Sequence, residues 1–362
     1  MEIAIASGKG GTGKTLFATN LAWVMETKIK TTVTLLDCDV EEPNSHIFYP
    51  NQTIKKEKIS IKAPIKVDKQ RCTGCGKCVN ACNFNALALV KNNVLIFNEL
   101  CHACGACLYV CPKEAVLEGS REIGELIFSR GKIDLVYATL TCGEGGMTPR
   151  LIKKVREEKK PGVNILDAPP GTACPAVEAV KKTDLCILVA DPTPFGLHDL
   201  KLAVNMCRTL GEEPVVIINR SMGKEQELKK YCQESSLEII GEIPDDQNIA
   251  KIYSRGELLV KKNPYYFDLF WEIAKKIIKI ADSPRPPKKP KEERFFSIKT
   301  QIKGGGKEDN SPKPRRINPV ELPELVIISG KGGTGKTSLV GAFATLGGNS
   351  LVADCDVDAS DL

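Results

Sequence analysis

No stretch of this 362-residue chain approaches the ~20 consecutive apolar residues that a helix needs to cross a bilayer, so no membrane span is expected. The opening, MEIAIASGKGG, lacks the basic stretch and apolar core of an export signal, and a cytoplasmic protein is expected. A strong charge of one sign is also missing from most of the chain. The formal net charge is +6, but Pro284 to Arg316 holds 11 Lys/Arg against 4 Asp/Glu, which is +7 and leaves −1 for the rest. That basic stretch reads as a solvated linker, with an electrostatic arm as the alternative, and nucleic acid is not the expected partner.

Cysteine, by contrast, is plentiful, with 15 residues. Eight fall in two tight clusters with metal-ligand spacing. Without an export signal, bound metal in a reducing compartment is expected in place of disulfides.

Seven strand-like apolar runs alternate with helical patterns: EIAIA, TTVTLLD, IDLVYATL, VNILDAP, DLCILVA, EPVVIIN and LEIIGEI. Continuous apolar strands separated by helices are what a parallel sheet covered on both faces requires. The expected fold is α/β, a doubly wound, mostly parallel sheet over 1–61 and 119–281. A Cys-rich, Gly-punctuated stretch, 62–118, interrupts it as a small inserted module. Residues 282–322 read as a flexible basic linker. Residues 323–362 repeat the opening strand, loop, helix and second strand, and include a second SGKGGTGKT. Two strands and one helix cannot close such a sheet. We expect a sister domain whose remainder this chain does not carry, the alternative being a short arm with its own role.

Residues 8–15, GKGGTGKT, match the phosphate-loop pattern G-x-x-x-x-G-K-[ST] between a strand and a helix. Gly8, Gly10, Gly11 and Gly13 let backbone N–H groups, Thr12 included, turn around phosphates. Lys14 supplies charge, and the Thr15 hydroxyl is a ligand for Mg²⁺. With the extra lysine, Lys9, this is the deviant form of the loop, and the sequence resembles the MinD/ParA/Mrp class of P-loop ATPases, which includes the nitrogenase iron protein. The resemblance implies that ATP is sandwiched in a homodimer or between sister domains, with Lys9 reaching the partner's nucleotide. It implies that Asp39 of DCD handles the attacking water and that Asp167 of NILDAPPGT holds the Mg²⁺ shell. It also implies that Asn219 and Arg220 of VVIINR recognise adenine.

Cys72, Cys75, Cys78 and Cys82 give C-x₂-C-x₂-C-x₃-C, and Cys101, Cys104, Cys107 and Cys111 repeat it, with Pro112 following. Zinc ribbons use paired C-x₂-C units set well apart, not triplets. The spacing resembles that of bacterial ferredoxins, in which the fourth cysteine of each run serves the other cluster. That resemblance implies two [4Fe–4S] clusters, one on Cys72, Cys75, Cys78 and Cys111, the other on Cys101, Cys104, Cys107 and Cys82. Asn83 stands where proline is usual after the first run. Cys174, just past PPGT, reads as a buried structural thiol, with cluster bridging as the alternative, and Cys142 lies beside glycines. The amphipathic stretch 265–280 reads as a last covering helix, with membrane docking as the alternative.

These features together lead us to expect an ATPase that couples nucleotide state to iron–sulfur chemistry on a redox or metalloprotein partner. The alternatives are a positioning ATPase of the MinD/ParA type and a passive electron carrier.

Overall fold

The computed structural model describes residues 1–141, 145–223 and 225–282. Cys142, the expected linker beyond Asp282 and the repeat at 323–362 lie outside the described residues, and Cys174, expected to be buried, is exposed at the start of its helix.

The strands are β1 (Glu2–Ala6), β2 (Val33–Asp37), β3 (Gln52–Val67), β4 (Leu87–Val90), β5 (Asn93–Ile96), β6 (Val116–Arg130), β7 (Asp134–Leu140), β8 (Val163–Asp167), β9 (Leu185–Ala190), β10 (Val215–Ser221) and β11 (Ile239–Pro244). The helices are α1 (Lys14–Lys28), α2 (Lys77–Asn80), α3 (Ala106–Tyr109), α4 (Thr148–Glu157), α5 (Cys174–Val180), α6 (Pro194–Thr209), α7 (Gln226–Glu234), α8 (Gln247–Tyr253), α9 (Leu259–Lys262) and α10 (Pro264–Asp282).

Nine strands form one sheet in the order β11-β10-β9-β1-β8-β2-β7-β6-β3. The first seven in that order run parallel and coincide with the seven apolar runs of the sequence. Their residues alternate between two cores. Ile3 and Ile5 pack with Phe17, Leu21 and Met25 of α1 and with Phe270 and Ile277 of α10. Ala4 and Ala6 face Leu151 of α4, Ala179 of α5, Ala203 of α6 and Leu228 of α7. Burial on both faces is why these strands lack a polar alternation. The stripe of α10, from Tyr266 through Phe270 and Ile273 to Ile277, is buried in the first core. It is the covering helix the sheet needs, and a bilayer would have to compete with about 1.5–3 kcal/mol per large side chain already buried. Among the described residues no helix is long and apolar enough to cross a membrane.

β6 and β3 close one side antiparallel. They pair from Gln52↔Arg130 out to Val67↔Val116, whereas β6 meets β7 only between Gly124 and Ser129. The ribbon therefore continues past the sheet and carries the cysteine module at its tip. β3 and β6 run unbroken through positions 62 and 118, so the expected module boundaries fall inside strands. β3 is the outer edge of the sheet, and its exposed positions include Lys55, Lys56, Lys58, Lys62 and Lys66.

Candidate functional site

The strand order reverses at β1, whose neighbours β8 and β9 follow each other in sequence. Ligands of open α/β sheets bind beyond the carboxyl ends of the strands at such a point. The loop Ser7–Gly13 leaves β1 there. Gly13 takes φ +97°, a conformation only glycine adopts cheaply, and a Cβ on it would stand 2.2 Å from Asn219 Nδ2. Gly8 is as constrained, since its Cβ would stand 2.1 Å from the Asp199 carbonyl oxygen of α6. Gly10 and Gly11 lie along the same turn, with Gly11 at φ +76°.

Lys14, 6% exposed, folds back into the loop and donates to Ser7 Oγ at 2.9 Å and to the Lys9 carbonyl at 3.5 Å. Asn219 Nδ2 donates to the Thr12 carbonyl at 2.7 Å. Arg220, at φ +56°, bridges the Gly11 carbonyl at 3.2 Å and Asp191 Oδ2 at 3.1 Å. The two residues expected at adenine are therefore seen bracing the phosphate loop. Lys9 Nζ pairs with Asp199 Oδ2 at 3.4 Å and lies 5.5 Å from the centre of the Phe195 ring. Ser7, Asp191 and Asp199 were not singled out in the sequence. An aspartate within a helix such as Asp199 carries no local signal of its role.

Two carboxylates, Asp39 and Asp167, lie within reach of the Lys14 charge, and Asp37 neighbours both. Asp37 Oδ2 accepts from the N–H groups of Asn44 and Ser45 at 3.0 and 2.9 Å, and this fixes the bend after β2. Asp167 Oδ2 accepts from Ser45 Oγ at 3.3 Å. Asp39 Oδ1 accepts from Glu42 N–H at 3.4 Å. Burial pushes Asp39 up to about 7, helped by the charge of Asp167 and opposed by Lys14. Burial likewise raises Asp37 and Asp167, and each is raised further by a neighbouring carboxylate. Thr12 Oγ1 and Asp167 Oδ1 are buried and have no hydrogen-bond partner among the described residues. A glycine-rich loop, a buried lysine and an orphaned acceptor oxygen suit a phosphate paired with a hard cation.

These shifts carry a pH signature. The folded apoprotein holds protons that the unfolded chain gives up above its carboxylate value of 3.8, so stability is present at low pH and is lost as pH rises through about 7. The melting temperature of the apoprotein should therefore fall by several degrees between pH 5 and pH 8. Mg²⁺ with nucleotide should flatten that slope, because a cation favours the ionised forms. A fluorimetric melting series checks this, and an apoprotein curve rising across that range would contradict it.

The cysteine module folds as two similar halves. Each run turns at a left-handed glycine, Gly76 or Gly105, into a short helix, α2 or α3, that holds its third cysteine. Four residues after each fourth cysteine, a backbone N–H returns to its sulfur: Ala86 to Cys82 Sγ at 3.3 Å and Ala115 to Cys111 Sγ at 3.2 Å. Cys72, Cys75, Cys78 and Cys111 ring one cavity of about 350 Å³, counting its solvent-open side, with Val67, Val94 and Val116 in its wall. Cys82, Cys101, Cys104 and Cys107 ring a second of about 280 Å³, walled by Pro64, Phe84 and Leu87. Burial pushes the Cys107 thiol up to about 11. Among the described residues no three His, Cys, Asp or Glu side chains are placed to hold a metal ion.

The CobQ/CobB/MinD/ParA nucleotide binding domain family matches residues 3–260, and the chain belongs to that family. It is similar to the Methanocaldococcus jannaschii protein MJ0578, 29% identical over 279 residues, covering 76% of this chain and 96% of that one. MJ0579 of the same organism is 28% identical over 271 residues, covering 73% and 93%. An iron-sulfur cluster carrier protein of Saccharolobus solfataricus is 28% identical over 137 residues, 33% of this chain and 46% of that one. Among solved structures, the septum site-determining protein MinD of Pyrococcus horikoshii, complexed with Mg-ADP, overlays with a TM-score of 0.48 and 19% identity, covering 78% and 97%.

Proposed function

We propose that this chain is a MgATP-binding and hydrolysing iron–sulfur protein that couples nucleotide state to electron delivery to, or metallocentre maturation in, a partner protein. The observation that carries this reading is the presence of two cavities, each ringed by four cysteines, on a ribbon continuous with the sheet of a nucleotide-binding domain.

The cavities fit [4Fe–4S] clusters better than zinc. Zinc would need its thiolates to converge at about 2.3 Å on one point, and its ribbons use paired C-x₂-C units set well apart. In a four-iron cube each cysteine takes a different iron, so the ligands ring a space. Soft sulfur donors, apolar walls and N–H groups aimed at sulfur suit that occupant. The two rings draw Cys111 to the first run and Cys82 to the second, in line with the crossed assignment. A relative named as an iron-sulfur cluster carrier protein is similar to a third of this chain, which is compatible with iron–sulfur chemistry. When bound, the clusters supply one-electron chemistry.

In the nucleotide site, Thr15 and Asp167 would hold Mg²⁺, which neutralises phosphate charge. Asp39 is the group available to orient water. Lys9 must exchange Asp199 for the nucleotide of a second copy or sister domain. Lys9 is a quarter exposed but Asp199 is buried, so the exchange must be offset by the phosphates that Lys9 gains. Lys9→Ala and Asp39→Asn should therefore keep nucleotide affinity within about threefold, while turnover falls at least ~100-fold. Phosphate release and equilibrium binding on the same preparations separate the two effects. Equal loss of affinity in Lys9→Ala and Lys14→Ala would remove the transition-state role of Lys9.

A positioning ATPase of the MinD/ParA type is the second reading, favoured by family membership. Anaerobic capture of partners, with and without a non-hydrolysable ATP analogue, discriminates. The main reading expects a redox or metal-containing protein retained in a nucleotide-dependent way, and a filament or membrane partner would favour the second.

A further inference from the structure

The two cavities are not equivalent with respect to the nucleotide domain. The one ringed by Cys72, Cys75, Cys78 and Cys111 sits at the ribbon tip, against Val67 and Val116. The other is nearer the sheet, and its ligand loop is gripped by the domain. Arg121 Nη1 of β6 donates to the Cys101 carbonyl at 3.4 Å. Arg150 Nη2 of α4 donates to the Ala103 carbonyl at 3.1 Å and to the His102 carbonyl at 3.5 Å. The His102 ring lies so close to Gly146 that a Cβ there would stand 3.1 Å from its Nε2. Ala103 packs against the second core.

Two residues before Arg150, at the first position of α4, Thr148 Oγ1 donates to Glu41 Oε1 at 2.7 Å. Glu41 lies on the bend after β2, between Asp39 and the Glu42 N–H that Asp39 accepts. Leu151, Ile152 and Val155 are fully buried, which anchors α4 in the core. At the far end of this chain of contacts, one peptide unit faces both ways. The His102 carbonyl accepts from Arg150, and the N–H of the same peptide, that of Ala103, points to Cys101 Sγ at 3.4 Å. Hydrogen bonds to ligand sulfurs are among the determinants of cluster potential.

We propose that Thr148 and Arg150 are positioning residues that link the Asp39–Glu42 bend to the Ala103 N–H···Sγ contact, so that nucleotide in the phosphate loop shifts the potential of the near cluster and leaves the far one unmoved. This rests on the reading that the cavities hold clusters. Because binding linkage is reciprocal, reduction of the near cluster changes nucleotide affinity by the same factor. A threefold change corresponds to about 28 mV for a one-electron couple, at 59 mV per tenfold.

The test is an anaerobic potentiometric titration, followed by EPR, of the full chain with and without the magnesium complex of a non-hydrolysable ATP analogue. Cys75→Ser, which removes a far-cavity ligand, identifies the near signal. The expected result is that one midpoint moves by the equivalent of threefold or more. Thr148→Val and Arg150→Gln should abolish that shift with nucleotide Kd within twofold, and Arg150→Lys should restore part of it. Arg150→Gln should also lower the near midpoint without nucleotide, since it loosens the N–H···S contact and removes a positive charge. Full iron content with unmoved midpoints, equal movement of both, or a shift surviving in both variants overturns the coupling alone. A protein that takes up no iron overturns the cluster reading and this proposal with it.

Discussion

Lys14→Ala weakens MgATP binding at least ~100-fold, while Lys9→Ala does not. The expectation follows from where the two amines lie. Lys14 is buried in the loop with Ser7 Oγ and the Lys9 carbonyl as partners, already where phosphate oxygens arrive. A charge-assisted hydrogen bond in such a site contributes about 1.5–3 kcal/mol, and two of them exceed the ~2.7 kcal/mol that a hundredfold requires. Its loss also leaves Asp39 and Asp167 facing incoming phosphate without their nearby cation. Lys9 is held by the buried Asp199 of α6 and contributes little to ground-state binding. Isothermal titration decides it, with Lys14→Met to separate loss of charge from loss of side-chain bulk. A dissociation constant within tenfold of the parent for both variants would remove Lys14 from the phosphate site.

The second large effect concerns which cysteines act together. The intact protein should bind about eight iron atoms, four per cluster. The doubly substituted Cys72→Ala/Cys111→Ala should retain about four, because both changes fall on one cavity, although the two residues belong to different sequence runs. Cys72→Ala/Cys82→Ala, both in the first run, should lose nearly all, because each cavity then lacks a ligand. Iron and sulfide analysis of anaerobically purified protein gives the counts. The opposite ranking would mean that each run holds its own cluster. Stoichiometric zinc would end the iron–sulfur reading.

The parallel sheet was legible because burial on both faces demands continuous apolar runs, and all seven runs are strands. The long ribbon was not, because most of β3 is solvent-exposed and its composition is dominated by lysine. A period-two signal is present all the same, in Ile59, Ile61, Ala63, Ile65 and Val67, and it would have found the strand. In the site, the phosphate loop and the cysteine runs could be read from the sequence because their chemistry depends on local spacing. The contacts of Asp199, Arg150 and Thr148 could not, since each meets its partner only through the tertiary fold. The bracing of the loop by Asn219 and Arg220 is of the same kind: strand order brings β10 near β1, and spacing along the chain does not.

The lysines of β3 have a consequence for the molecule in a crowded solution. An outermost strand of 16 residues offers unpaired N–H and C=O groups to any passing chain, and strands of that length are templates for aggregation. Lys55, Lys56, Lys58, Lys62 and Lys66 would each have to be brought against a like row if two copies met along that edge, and Pro64 removes one donor from the ladder. The strand that lets the module stand out from the domain is thus also the one that keeps molecules apart, and copies that pair are left to do so through other faces.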